Sequence, residues 1–341
     1  MAEQSINFKL STLKPLQPLQ PLQPIQPIQL LHPQNYLNLH IQVDNLTKKF
    51  GNFTSVDNLS FCVNAGEVYG FLGQNGAGKS TTIRMLLSLI KPTSGSIQIF
   101  GKDINQDREN ILQRTGAVVE KPDLYKYLSA VENMNLFSKY SGLSLSKSEI
   151  MRQLAVVGLE SRAHDKVKVY SQGMKQRLGI AVAMVHNPDL IILDEPTNGL
   201  DPQGITDIRN LILMLSRDKK KTVVVSSHLL SEVEQIADSM LIINRGKKIV
   251  EGKVSELLNP GKVQLEIETL DNSTAKKILL TSFWASSLVN STKDRVVVDA
   301  ERSMIPELTK FLVDQGVALV GVKSVNSLEA YFLSLTTEHA V

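Results

Sequence analysis

The chain has 341 residues, enough at ~100–200 residues per domain for a main domain and something smaller. Its formal net charge of +3 implies no nucleic-acid-binding field, and a lone cysteine, Cys62, excludes an internal disulfide and fits a reducing cytosol. The most apolar stretch, 178–193, is broken by His186, Asn187, Pro188 and Asp189, short of the ~20 apolar residues of a membrane span. The N-terminus is expected to carry no signal peptide, since it lacks the charged, apolar and small-residue regions of one.

In chain order, residues 1–37 come first, with the period-3 repeat Pro15-Leu-Gln to Pro27-Ile-Gln. A polyproline II helix has three residues per turn, so Leu16, Leu19, Leu22, Ile25 and Ile28 would share one face. The segment reads as a disordered Pro/Gln-rich tail, the alternative being a docking strip. Strands are expected at His40–Val43, Thr54–Val63 and Glu67–Leu72. Then comes Gly73-Gln-Asn75-Gly76-Ala77-Gly78-Lys79-Ser80-Thr81, with a helix expected over 82–90. Strand, glycine-rich turn and helix are the context of the phosphate-binding pattern G-x-x-x-x-G-K-[ST]. Its glycines let backbone N–H groups reach a phosphate, and the helix N-terminus adds positive character. Lys79 can reach the β- and γ-phosphates, and the Ser80 hydroxyl can ligand Mg²⁺.

Short strands follow at Ser96–Phe100 and Gly116–Glu120. From about Leu124 to Val169 apolar residues recur three and four apart, which predicts helices. A helix is expected over 174–186. Leu190–Leu193 and Thr222–Val225 are continuous apolar runs, as in strands buried on both faces of a parallel sheet. The first ends in Asp194-Glu195: Asp194 can hold Mg²⁺, and Glu195 can orient and deprotonate an attacking water. Beyond Asn259-Pro-Gly261, alternation at Val263, Leu265 and Ile267 and at Val296 and Val298 suggests strands, with helices at 273–285 and 303–315. A last amphipathic helix is expected at Ser327–Leu335.

Ser171-Gln-Gly173-Met-Lys-Gln-Arg177, a short way before a strand ending Asp-Glu-Pro, resembles the signature motif of ABC ATPases. Asn198-Gly-Leu-Asp201 is similar to their D-loop, His228 in Ser226-Ser-His to their switch histidine, and Phe50 to the aromatic they stack on adenine. The resemblance covers roughly 40–258. It implies an α/β P-loop NTPase at 38–258, with an antiparallel β subdomain and a helical insertion at about 121–175. A small α+β accessory domain at 262–341 completes the chain.

The resemblance also implies an ATPase, with ATP and Mg²⁺ sandwiched between two copies packed head-to-tail. Phe50, Gly73, Asn75, Gly76, Ala77, Gly78, Lys79, Ser80 and Thr81 of one copy would face Ser171 and Gly173 of the other. Glu195 and His228 would be catalytic, and Ser80, Asp194 and Glu120 would hold the metal. The family serves a separate transmembrane permease subunit, placing the protein in the cytoplasm, peripheral on the inner face of the cell membrane, with no nucleic acid as partner.

Two departures narrow this. Gln172 stands where the signature motif has glycine. Glu120 stands where the family has a glutamine that contacts Mg²⁺, and a carboxylate cannot donate a hydrogen bond as that amide does. Val118-Val-Glu120-Lys-Pro-Asp-Leu-Tyr125, Glu132-Asn133 and Ser327-Leu-Glu-Ala-Tyr-Phe332 resemble the bacitracin-resistance and lantibiotic-immunity exporters. The expected function is therefore the ATPase subunit of a bacterial exporter, of a peptide antibiotic or another amphipathic compound. The alternatives are a soluble, non-transport ABC ATPase or the ATPase of another transporter class.

Overall fold

In the computed structural model, residues 39–258, 262–289 and 296–324 are described. The expectations for the 1–37 tail and the 327–335 helix lie outside them. No helix among the described residues is long and apolar enough to cross a membrane.

The first sheet is antiparallel. Its strands are β1 (Leu39–Phe50), β2 (Phe53–Asn64), β4 (Ser94–Ile99) and β5 (Lys102–Asp103), in the order β2-β1-β4-β5. Ile41, Val43, Phe61, Val63, Ile97 and Ile99 point from its inner face into one hydrophobic cluster. Phe71 and Ile192 of a second sheet belong to the same cluster.

That second sheet contains β3 (Val68–Leu72), β6 (Thr115–Val118), β7 (Leu190–Asp194), β8 (Thr222–Ser227), β9 (Ser239–Asn244) and β10 (Lys247–Lys253). Their order is β10-β9-β3-β8-β7-β6, parallel except for β10. Every residue of β3, β7 and β8 is buried, as the continuous apolar runs predict. The sequence reading assigns no strand to 239–253. The hairpin β9–β10 there turns on Arg245 and Gly246, both at positive φ (47° and 78°), as a tight two-residue turn requires.

The helices are α1 (Lys79–Leu86), α2 (Arg108–Gln113), α3 (Ala130–Tyr140), α4 (Lys147–Val156), α5 (Gln172–Ala183), α6 (Pro202–Arg217), α7 (Leu230–Val233) and α8 (Val254–Leu258). The long helical region expected over 124–169 is two helices with short 3-10 turns after them. Each helix starts at a capping box, Ser129 with Glu132 and Ser146 with Glu149. Gly142 and Gly158, at φ 74° and 66°, follow their ends. The expected helix 82–90 begins at Lys79 and stops at Leu86, with Ser88 at φ 54° and Pro92 close behind. The strand expected through Glu120 stops at Val118, because Glu120 turns to φ 61°. Within it Gly116 is required, since an added methyl would lie 2.1 Å from the Ala183 carbonyl oxygen.

The remaining elements are β11 (Lys262–Thr269), α9 (Asn272–Leu280), β12 (Leu288–Val289), β13 (Val296–Glu301), α10 (Ile305–Asp314) and β14 (Leu319–Ser324). Their strand order is β12-β13-β11-β14, all antiparallel. This is the βαββαβ split arrangement of ferredoxin-like folds. Alternate residues Val263, Leu265, Ile267, Val296 and Val298 meet Ala275, Leu279, Leu308 and Leu312 in a core of their own.

Candidate functional site

Strands β3, β8 and β7 are adjacent, and their carboxyl ends lie level: Leu72 pairs with Ser227, and Asp194 with Ser226. In open α/β sheets this edge is where ligands bind. The topology therefore gathers three separate sequence motifs at one place.

After β3 the chain turns through Gly73–Gly78. A methyl added at Gly78, where φ is 106°, would lie 2.6 Å from the Ser55 carbonyl oxygen. One added at Gly73 would lie 2.7 Å from that of Ile243. The glycines thus let the loop pack on β2 and β9 while keeping its own backbone bare. Gly78 precedes α1 without a side-chain cap, so the first N–H groups of that helix face the loop. Thr82 anchors the turn, its hydroxyl donating to the Gly78 carbonyl at 2.9 Å, and the Ser55 hydroxyl donates to that of Thr81 at 2.9 Å. Asn75 and Gly76 are exposed, Ala77 is buried, and Ser80 is half-buried.

Lys79 is only 5% exposed. Its ammonium donates to the carbonyls of Gly73 (2.6 Å) and Gln74 (3.2 Å) and lies 3.0 Å from Glu195 Oε1. That approach is a charge contact, for Oε1 forms no directed hydrogen bond. Its partner oxygen, Oε2, accepts from His228 Nδ1 at 2.8 Å. Because a carboxylate only accepts, Nδ1 carries the proton, and Nε2 remains for another partner. Glu195 itself sits at φ 49°, uncommon for a side-chain-bearing residue and frequent at functional sites.

Asp194 is buried, and its Oδ1 accepts from the Ser226 hydroxyl at 2.5 Å. The same hydroxyl accepts from the Glu195 N–H at 2.9 Å. Ser226 of β8 thus ties down both Asp194 at the end of β7 and Glu195 just after it. Behind them Glu232 Oε2 accepts from Thr197 (2.7 Å) and Ser227 (3.0 Å). The sequence reading misses Thr197 and Glu232, and no local pattern marks them.

Other expected site residues lie apart from this group. Phe50, half-exposed at the β1–β2 turn, has Lys48 Nζ 5.0 Å from its ring centre. Exposed Ser171 caps α5, accepting from the Met174 N–H at 3.2 Å, which starts the helix at Gln172 rather than 174. A methyl on Gly173 would lie 3.8 Å from Gly204 Cα at the head of α6. Asp201 caps α6, accepting from the Gly204 N–H at 3.0 Å. Glu120 is exposed and paired with Arg84 of α1. On β2, burial and then the Glu251 charge push the Cys62 thiol up to about 11, so it stays protonated at neutral pH.

Residues 56–198 match the family model described as ABC transporter. Residues 166–234 also match one described as AAA domain, putative AbiEii toxin, Type IV TA system. The chain is 42% identical over 296 residues to the bacitracin transport ATP-binding protein BcrA of Bacillus licheniformis, spanning 86% of this chain and 96% of that one. The chain belongs to the ABC transporter ATP-binding proteins. The lantibiotic transport ATP-binding protein SrtF of Streptococcus pyogenes is 43% identical over 211 residues, 62% of this chain and 90% of its own. Among solved structures, the ATP-binding cassette MJ0796, a post-hydrolysis dimer bound to ADP and Pi, has a TM-score of 0.57 at 28% identity. It covers 63% of this chain and 98% of its own. The ABC protein is accordingly a P-loop ATPase that binds ATP.

The donor set fits that substrate. A buried ammonium, a helix N-terminus and a loop with no room for a Cβ at Gly73 or Gly78 suit a polyphosphate. A buried aspartate and a serine hydroxyl suit Mg²⁺, which prefers oxygen ligands and shares them with phosphates.

Proposed function

We propose that this chain is the ATP-hydrolysing subunit of an exporter that moves a peptide antibiotic through a separate membrane subunit. The observation that carries this reading is the Glu195 carboxylate lying between Lys79 and His228 at the tips of three adjacent strands. The names of the BcrA and SrtF relatives support the antibiotic as cargo. Working as such a subunit, the protein sits in the cytoplasm, on the inner face of the cell membrane.

In this reading Phe50 stacks on adenine, and residues 73–81 cradle the phosphates. Lys79 leaves Glu195 for the β- and γ-phosphates, which frees the carboxylate to orient and deprotonate water. His228 keeps Glu195 oriented through Nδ1 and offers Nε2 to the γ-phosphate. Ser171 Oγ and the Gly173 N–H of a second, head-to-tail copy complete the site. Ser80 and Asp194, with Glu120 if it parts from Arg84, would hold Mg²⁺, which would supply positive charge to the phosphate oxygens.

The membrane subunit docks on the helical insertion. There an open groove of ≈ 470 Å³ is lined by Leu124, Tyr125, Tyr127, Leu136 and Tyr140, next in the chain to Glu120. Tyr127 and Tyr140 are 79% and 68% exposed, as expected of aromatic side chains that await a partner.

Two measurements test the reading. Glu195→Gln keeps ATP binding, lowers turnover about 100-fold or more, and accumulates an ATP-bound dimer in size-exclusion chromatography. Wild-type turnover in that variant would remove Glu195 from the chemistry. Loss of the gene in its host lowers resistance to bacitracin or a lantibiotic, restored by the wild-type chain but not by Lys79→Ala. Unchanged susceptibility to both would refute the cargo.

A further inference from the structure

Glu195 and His228 come from different strands, on loops that could drift apart. Their 2.8 Å contact at the sheet edge is matched behind by a second tie. Thr197, two residues after Glu195, donates its hydroxyl to Glu232 Oε2 at 2.7 Å. Ser227, one residue before His228, donates to the same oxygen at 3.0 Å. The Ser227 hydroxyl also accepts from the Leu229 N–H at 3.0 Å, so both flanks of His228 are held. Glu232 itself is on the short helix α7, next to the buried Val233. Pro196, Thr197, Ser227, Glu232 and Val233 wall a cavity of only ≈ 10 Å³.

We infer that Glu232 is a positioning residue for ATP hydrolysis, fixing the Glu195 loop against the His228 loop through one carboxylate oxygen. This rests on the reading of Glu195 and His228 as the working pair. One oxygen that accepts from both loops sets their separation, much as a bolt through two plates does. Without it the two loops are joined at the front by the Glu195–His228 contact and by Ser226, both of which touch the reacting groups directly. Misplacing a catalytic group by about 1 Å can cost about 100-fold in rate. Among the described residues, Glu232 makes no hydrogen bond or ion pair to the P-loop or to Lys79. Its loss should therefore spare ATP binding.

The test is steady-state ATPase kinetics on the full-length chain, with thermal melts alongside. Glu232→Ala is expected to lower kcat about 10- to 100-fold while KM for ATP moves less than about 3-fold. Glu232→Gln, whose amide oxygen can accept both hydroxyls, is expected to recover kcat to within about 3-fold of wild type. Thr197→Val is expected to lower kcat with KM held, and adding it to Glu232→Ala to cost nothing further, because Glu232→Ala already removes the bond from Thr197. A kcat for Glu232→Ala within about 3-fold of wild type would overturn the inference, as would full additivity of the pair. If Glu232→Ala fails to fold, Thr197→Val decides: unchanged kcat overturns the proposal. Glu195→Gln runs beside them. Normal turnover there would discard the Glu195 reading, whereas lost turnover with a normal Glu232→Ala discards only the role of Glu232.

Discussion

At the scale of single residues, the site is a problem of buried charge. Lys79 is an ammonium almost wholly removed from water, and such a group costs several kcal/mol unless it is paired. Two loop carbonyls and Glu195 pair it, so the chain stores a phosphate-binding cation at the sheet edge in neutralised form. Gly78 makes that storage possible. At φ 106° a side chain is strained, and its Cβ would also press on the Ser55 carbonyl oxygen, which belongs to backbone and has no rotamer to escape by. Gly78→Ala is therefore expected to cost about 1–3 kcal/mol in stability and to weaken ATP binding at least about 10-fold. Denaturant titration and equilibrium ATP binding check this; wild-type affinity would show that the loop can re-form around a methyl. Lys79, Asp194, Glu195 and His228 were all legible as residues, because motif chemistry depends on type and spacing. Their second tier was not. The Thr197–Glu232–Ser227 and Ser226–Asp194 bonds depend on which strand lies beside which, and Glu120–Arg84 depends on how far a strand runs before it turns.

At the scale of elements, apolar runs predicted the strands better than periodicity predicted helix ends. β3, β7 and β8 are buried on both faces, so their sequences are uniform and their limits clear. Helix ends are set by caps, not by the apolar stripe. Ser171 starts α5 two residues before the pattern does, and α1 begins at Lys79 because the P-loop backbone, rather than a side chain, precedes it. In the accessory sheet, α9 shows the same principle with a measurable pH signature. Asp271 accepts from the hydroxyls of Thr274 and Ser273 and from both their N–H groups. Those bonds, the Thr274 hydroxyl foremost, pull its carboxyl from 3.8 down to about 2. The folded value lies below the unfolded one, so the cap contributes its full stability above about pH 4. That contribution is lost as pH falls through about 2. Asp271→Ala is expected to lower the melting temperature of the protein by a few degrees at pH 7 and to change it little near pH 2. An equal loss at both pH values would mean that the charge-assisted bonds are not what holds the helix start.

At the scale of the whole molecule, the described residues bury apolar side chains in separate clusters that divide at 259–261. The clusters beneath the ATP site draw on residues from Ile41 to Leu258, and the accessory cluster on Val263 to Val322. Among the described residues no cluster mixes the two sets. In the sequence, Asn259-Pro-Gly261 lies where one pattern of alternation gives way to another. That pattern could not give the strand order β12-β13-β11-β14, because antiparallel pairing over long separations leaves no local trace. If the ATPase core is complete on its own side of the boundary, a variant ending at Leu258 should remain folded. It should hydrolyse ATP with kcat and KM each within about 3-fold of the full chain, as expected when removed residues share no packing with the site. Circular dichroism and ATPase assays on the purified variant check this. If the shortened protein is soluble yet inactive, the removed residues act on the ATP site through contacts other than a shared core. If it does not fold, the two cores depend on one another, and the division at 259–261 is a boundary of packing only.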